Sequence, residues 1–130
     1  MSDKLYREFI QRQPSCITGR YAEYLENGEK RNPACHVRRA NRFGTGFKAD
    51  YACVPLTAIE HDVQTRLGEL ACLKEFLPAP RVSEMFDGLA HEVAVLKAKA
   101  WFDEKVEVYF QRWLDTLKSA TTNWQQLQEV

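Results

Sequence analysis

Residues 34–61 read ACHVRRANRFGTGFKADYACVPLTAIEH, and the fold turns on how this stretch is divided. Ala34–Arg38 reads as a short strand. Asn41–Lys48 carries Gly44 and Gly46 and reads as a loop. Tyr51–Pro55 reads as a second strand. Two strands joined by a glycine-containing loop predict a hairpin, here with a long and basic connection. Thr57-Ala-Ile-Glu60 then matches a capping box, with Thr57 as N-cap and Glu60 at the third helical position. A helix therefore starts after Thr57 and runs to about Gly68. The same stretch gathers charge: from Lys30 to Lys48 there are six basic residues and no acidic one, in a chain whose 18 Lys and Arg balance 18 Asp and Glu.

Outward from this centre the chain reads as helical. Residues 2–13 form a short helix with Ser2 as N-cap, Leu5/Phe9 and Tyr6/Ile10 as i,i+4 pairs, and Pro14 as its end. Cys16–Pro33 reads as a loop, with Gly19, Asn27-Gly28 and Pro33 as turn signals. Leu70–Leu77 continues as helix until Pro78 and Pro80 break it. Beyond Ser83 the pattern is helical nearly to the end, as one or two long helices. Phe102, Val106, Tyr109, Phe110, Trp113 and Leu117 share one face, as a core stripe or a homodimer contact between C-terminal helices. The fold class is α+β, and the 130 residues make one domain: a hairpin-plus-helix core at about 34–70 and a helical extension at about 71–130.

Composition narrows the function classes. No apolar run approaches the roughly 20 residues that span a bilayer, so no membrane partner is expected. The start, MSDKLYREF, has no apolar core of a signal peptide. Four cysteines, Cys16, Cys35, Cys53 and Cys72, are evenly spread and form no CxxC pair. Reduced thiols in a cytoplasmic protein are expected, most of them buried apolar fillers, and the commonest structural zinc pattern is missing.

The chemistry-bearing residues lie in the central stretch. His36 stands at the end of the first strand and His61 in the first turn of the helix. A strand–strand–helix unit with histidines at these two places is the layout of a ββα-metal, or HNH, nuclease site. A neutral imidazole suits a general base that takes a proton from water. A divalent cation offsets the charge building on the phosphate. Arg38, Arg39, Arg42 and Lys48 border His36 and can grip flanking phosphates; the plainer reading of the same four is a solvated loop. His91 lies in a helical stretch and reads as structural.

The order and spacing of several short pieces carry a resemblance. Gln13-Pro-Ser-Cys-Ile-Thr-Gly19, His36-Val-Arg38, Gly44-Thr-Gly46-x-Lys48-x-Asp50, Val54-Pro-Leu56 and Glu60-His61 together resemble the phage and prophage HNH-type nucleases of the recombination-enhancement (Ref-like) kind. The eleven-residue step from Asp50 to His61 is similar to the family spacing. The resemblance covers about residues 5–70 and leaves the helical remainder unexplained.

This resemblance implies a small metal-dependent DNA endonuclease or nickase, acting in phage recombination or defence. His36 falls on the general-base position and His61 on the helix metal ligand. Asp50 falls on the polar residue of the second strand, which orients the base or approaches the metal. The implied cofactor is a divalent metal, Mg²⁺ foremost, with Mn²⁺ or Zn²⁺ as options, and the implied partner is DNA held by its phosphate backbone. Three departures stand out. Thr65 occupies the position four residues after His61 where relatives often place a second helix histidine. Thr57 and Glu60 stand where Cys and His often occur, and Glu60 already fits the capping box. Cys35 stands where an acidic or histidine ligand is usual, and a thiolate there would suit zinc better than magnesium. The departures leave a second reading open: a catalytically degenerate relative that keeps the fold and binds nucleic acid or a protein partner without cutting.

Overall fold

The computed structural model describes residues 3–39 and 51–128, with side chains over 4–39 and 51–121. The expected basic loop, with Arg42, Lys48 and Asp50, lies outside the described residues. In chain order the elements are α1 (Asp3–Gln11), β1 (Glu23–Tyr24), β2 (Lys30–Arg31), β3 (Ala34–His36), β4 (Cys53–Pro55), α2 (Ala58–Leu67), α3 (Glu69–Phe76), α4 (Ala79–Phe86) and α5 (His91–Gln128). The architecture is α+β: two small antiparallel sheets, helices around them, and one long C-terminal helix.

The central hairpin forms where the sequence places it. β3 pairs antiparallel with β4 in the register Ala34–Pro55, Cys35–Val54 and His36–Cys53. The Val37 amide extends the ladder by donating to the Ala52 carbonyl at 2.8 Å. Side chains alternate across a strand. Cys35 and Val37 are therefore buried, while Ala34, His36 and Arg38 project to the opposite face.

α2 starts on the expected capping box. Thr57 Oγ1 accepts from the Glu60 amide at 3.3 Å, and the Thr57 amide donates back to Glu60 Oε1 at 3.4 Å. Gly68, at φ 98°, ends α2 and turns the chain straight into α3. That left-handed backbone favours glycine, which has no Cβ to clash.

Two readings change. The segment 16–33 contains a hairpin where a loop is expected. β1 and β2 pair Glu23 with Arg31 and Tyr24 with Lys30, around the Asn27-Gly28 turn. Each strand has only two residues, mostly exposed, so no alternation of polarity announces it. The C-terminal half divides at Asp87–Ala90, where Gly88 takes φ 79°. Its last element, α5, has 38 residues and is about 57 Å long.

The core lies between α1, β4, α3 and α5. Ala94, Ala98, Phe102, Val106, Tyr109 and Trp113 form the buried stripe of α5. Tyr6 of α1 meets Tyr51, Phe110 and Trp113 edge-on, with ring centroids 5.1, 5.8 and 5.9 Å apart. Edge-to-face packing matches the positive rim of one ring to the negative face of the next. The expected stripe holds as core through Trp113. Leu117 is 38% exposed, because α5 by then has run past α1 and β4.

A buried acid joins the N-terminal turn to α2. Glu60 is 2% exposed. Its Oε1 accepts from Ser15 Oγ and its Oε2 from Thr18 Oγ1, the latter at 2.7 Å. Ser15 Oγ in turn accepts from the amides of Ile17 and Thr18. Replacing Glu60 by alanine strands both hydroxyls and the Thr57 amide. Glu60→Ala should lower unfolding free energy by about 3 kcal/mol, and Glu60→Gln, which keeps an acceptor, by clearly less. Urea titrations of the three proteins measure this. Equal midpoints would show that the buried acid is not a structural tie.

Candidate functional site

β3, α2, α3 and α5 each turn one face toward a cleft of about 850 Å³. Each contributes at its own period. β3 supplies Ala34 and His36, and Arg38, just past its end, keeps the same alternation. α2 supplies His61, Gln64 and Thr65, one helical face at i, i+3 and i+4, with Gly68 following at its C-cap. α5 supplies His91, Val95 and Lys99, at i, i+4 and i+8. Leu67, Leu70 and Ala71 add apolar surface beside Lys74.

The cleft brings together His36 and His61, which are 25 residues apart in sequence. It also includes His91, which reads as an ordinary helix residue. Only the packing of α5 beside α3 brings it there; its local sequence carries no such signal. His61 Nδ1 lies 3.1 Å from Gln64 Oε1. In the tautomer that protonates Nδ1, this contact is a hydrogen bond to the amide oxygen, and Nε2 holds the ring's lone pair. In that tautomer Nε2 is the ring nitrogen open to a cation. His36 makes no hydrogen bond to another described residue.

Of the two expected metal ligands, His61 is described and lines the cleft. Among the described residues no three His, Cys, Asp or Glu side chains come together to hold a metal ion. Asp50, the other expected ligand, lies outside the described residues. Thr65 lines the cleft one turn beyond His61 and offers only a hydroxyl. Cys35 faces away, buried, with its thiol directed at the Pro33 carbonyl at 3.5 Å. Burial pushes its pKa up to about 12, the Leu56 amide opposing this, so the thiol keeps its proton at neutral pH. It is not placed to act as a thiolate ligand.

The basic run separates into spent and free charge. Lys30 Nζ sits over the rings of Tyr21 and Tyr24, at 5.6 and 5.8 Å, and Arg31 pairs with Glu29 at 3.1 Å. Arg39, expected among the phosphate contacts, is committed inside the protein. Its Nη2 is 2.6 Å from Glu69 Oε2 and donates to the Lys99 carbonyl at 3.2 Å, while its Nε is 3.3 Å from Asp103 Oδ1. Burial works against the charged guanidinium, but Glu69 and Asp103 outweigh it and hold the pKa above its usual value. Arg38 is exposed on the cleft side. Arg42 and Lys48 lie outside the described residues.

Comparison with protein-family models, with curated proteins and with solved structures finds no match to this chain. Among the described residues no helix is long and apolar enough to cross a membrane.

Two outcomes follow from this electrostatic arrangement. Arg39→Ala should destabilise the fold by about 1–3 kcal/mol, since Glu69 loses its partner in a half-dry setting. Any affinity of the wild type for a DNA oligonucleotide should stay within about twofold in the folded variant, as for a charge turned away from the cleft. A large affinity loss at unchanged stability would return Arg39 to the phosphate contacts. The second outcome concerns pH. Burial raises both Cys35 and Cys72 from 9.0 to about 12. The folded state then holds thiol protons that the unfolded chain has released. Their stabilising contribution is complete below about pH 9 and is lost as pH rises toward 12, at up to about 1.4 kcal/mol per pH unit for each thiol. Urea midpoints at pH 8 and pH 10.5 should show the drop, and Cys35→Ala should reduce it by the share of that one thiol.

Proposed function

We propose that the cleft is a phosphodiester-hydrolysing site of HNH, ββα-metal type, acting on DNA as an endonuclease or nickase. The observation that carries this reading is the meeting of His36, on the first strand of a hairpin, with His61, on the helix that follows, in one cleft bordered by an exposed arginine. The resemblance to the Ref-like nucleases, which assigns these two histidines their roles, points the same way.

In this reading His36 takes the proton from the attacking water, and Arg38 holds a flanking phosphate. His61 offers Nε2 to a divalent cation, Mg²⁺ foremost, with Asp50 as the second donor. A cation bound there would neutralise charge on the phosphate. Arg42 and Lys48 join Arg38 as phosphate contacts in the same proposal. A role in phage recombination or defence, and a homodimer through the C-terminal helices, rest on the sequence alone. A second reading, a binder that no longer cuts, is favoured by two observations. The described residues hold no three-ligand group, and Thr65 replaces the expected second helix histidine.

A plasmid-nicking assay with Mg²⁺, Mn²⁺ and Zn²⁺ separates the two. Wild type should nick with at least one of these ions. His36→Ala should lose about 10²–10⁴-fold in rate while keeping DNA affinity, and His61→Ala should need more metal. Wild-type rates in His36→Ala would remove His36 as the base. Binding without nicking under every ion would establish the degenerate reading.

A further inference from the structure

We propose that Lys74 and Lys99, with Arg38, form the phosphate-gripping rim of the cleft, so that the helical C-terminal half supplies the second wall of a nucleic-acid site. The inference rests on the reading of the cleft given above and adds the residues that carry the backbone's charge. The ligand chemistry is a phosphodiester strand, single or paired.

Three observations converge. First, α3 and α5 each line the cleft with an exposed lysine and with apolar residues one turn earlier: Leu70 and Ala71 before Lys74, Val95 before Lys99. Both lysines are exposed, and neither forms an ion pair among the described residues. Second, Glu69 is the one carboxylate among the described lining residues, and it is already bound by Arg39. The cleft thus presents positive charge with its acid neutralised, among apolar lining residues. Uncompensated cations around a concave, low-dielectric surface focus the field and draw in polyanions. Third, the two walls are mechanically joined. Arg39 follows Arg38 directly and donates to the backbone carbonyl of Lys99 across 60 residues of sequence. The same guanidinium binds Glu69 on α3 and Asp103 on α5. Arg38 on one wall and Lys99 on the other are therefore held in a fixed relation before any ligand arrives. Such preorganisation lowers the entropic cost of gripping successive phosphates.

The test is the affinity of the full chain for a labelled oligonucleotide, as single strand and as duplex, over a series of salt concentrations. Wild type is compared with Arg38→Ala, Lys74→Ala, Lys99→Ala, the Lys74→Ala/Lys99→Ala double variant, and Lys118→Ala, an exposed lysine of α5 outside the cleft. Thermal midpoints check that each variant is folded. Each cleft lysine should flatten the log–log salt slope by about 0.9 on duplex or about 0.7 on single strand, the double variant should do so by about the sum, and Lys118→Ala should leave it unchanged. The oligonucleotide form that wild type binds more tightly at a given salt concentration identifies the strand state the cleft takes. Wild-type slopes in both lysine variants, with a reduced slope in Arg38→Ala, would overturn this inference and leave the nucleic-acid reading standing. No binding of either form at low salt would overturn both.

Discussion

Glu60 is the residue on which the arrangement of this protein depends. An acid side chain buried without partners would cost several kcal/mol. Here its acceptors are met by Ser15, Thr18 and the Thr57 amide. Those partners come from a turn more than 40 residues upstream and from the first turn of its own helix, so one side chain fixes both. The Cys16 amide adds a 3.1 Å hydrogen bond to the Pro55 carbonyl at the end of β4. The start of α2 is thereby locked against the hairpin. Because Glu60 must face inward, His61, one residue and about 100° further around the helix, is turned toward the cleft. The geometry of the candidate site follows from a structural residue with no chemical part in it.

Arg39 plays a comparable part on the other side. Taken singly, exposed ion pairs add little. Arg39 differs because one guanidinium serves two carboxylates and a carbonyl on two helices. It occupies the cleft's one described carboxylate, Glu69, and among the described residues the neighbouring Arg38 makes no ion pair. The basic run that stands out in the sequence is thus a mixture. Lys30, Arg31 and Arg39 are turned to internal partners, and among the described residues Arg38 keeps its charge for the cleft. Sequence alone shows the sum of these charges and cannot divide them, since the division depends on where Glu69, Asp103 and two tyrosine rings lie.

The C-terminal half gives the cleft its second side. α5 packs its buried stripe against β4, α1 and α3, and that packing carries His91, Val95 and Lys99 into line with His36 and His61. The hairpin-plus-helix core expected from the sequence ends near position 70. A cleft with one wall from that region and one from beyond it makes the long helix part of the site.

Local rules in the chain were enough for several features. A helix before Pro14, the hairpin of residues 34–55, the Thr57/Glu60 capping box, the turn at Gly68 and the aromatic stripe of α5 each depend on neighbours within about one turn or one strand pair. Strand alternation alone puts His36 and Arg38 on the face opposite Cys35 and Val37. Tertiary packing decided the rest. The β1–β2 hairpin is too short and too exposed to leave a pattern. The break at Asp87–Ala90 rests on a single glycine in an otherwise helical run. His91, Lys74 and Lys99 look like ordinary helix residues until α5 is laid against α3. Arg39 looks like its neighbours until two acids, 30 and 64 residues away, close on it. Periodicity and capping are short-range and write themselves into adjacent residues. The sharing of charge and the meeting of distant side chains are set by contacts between elements, which no local pattern records.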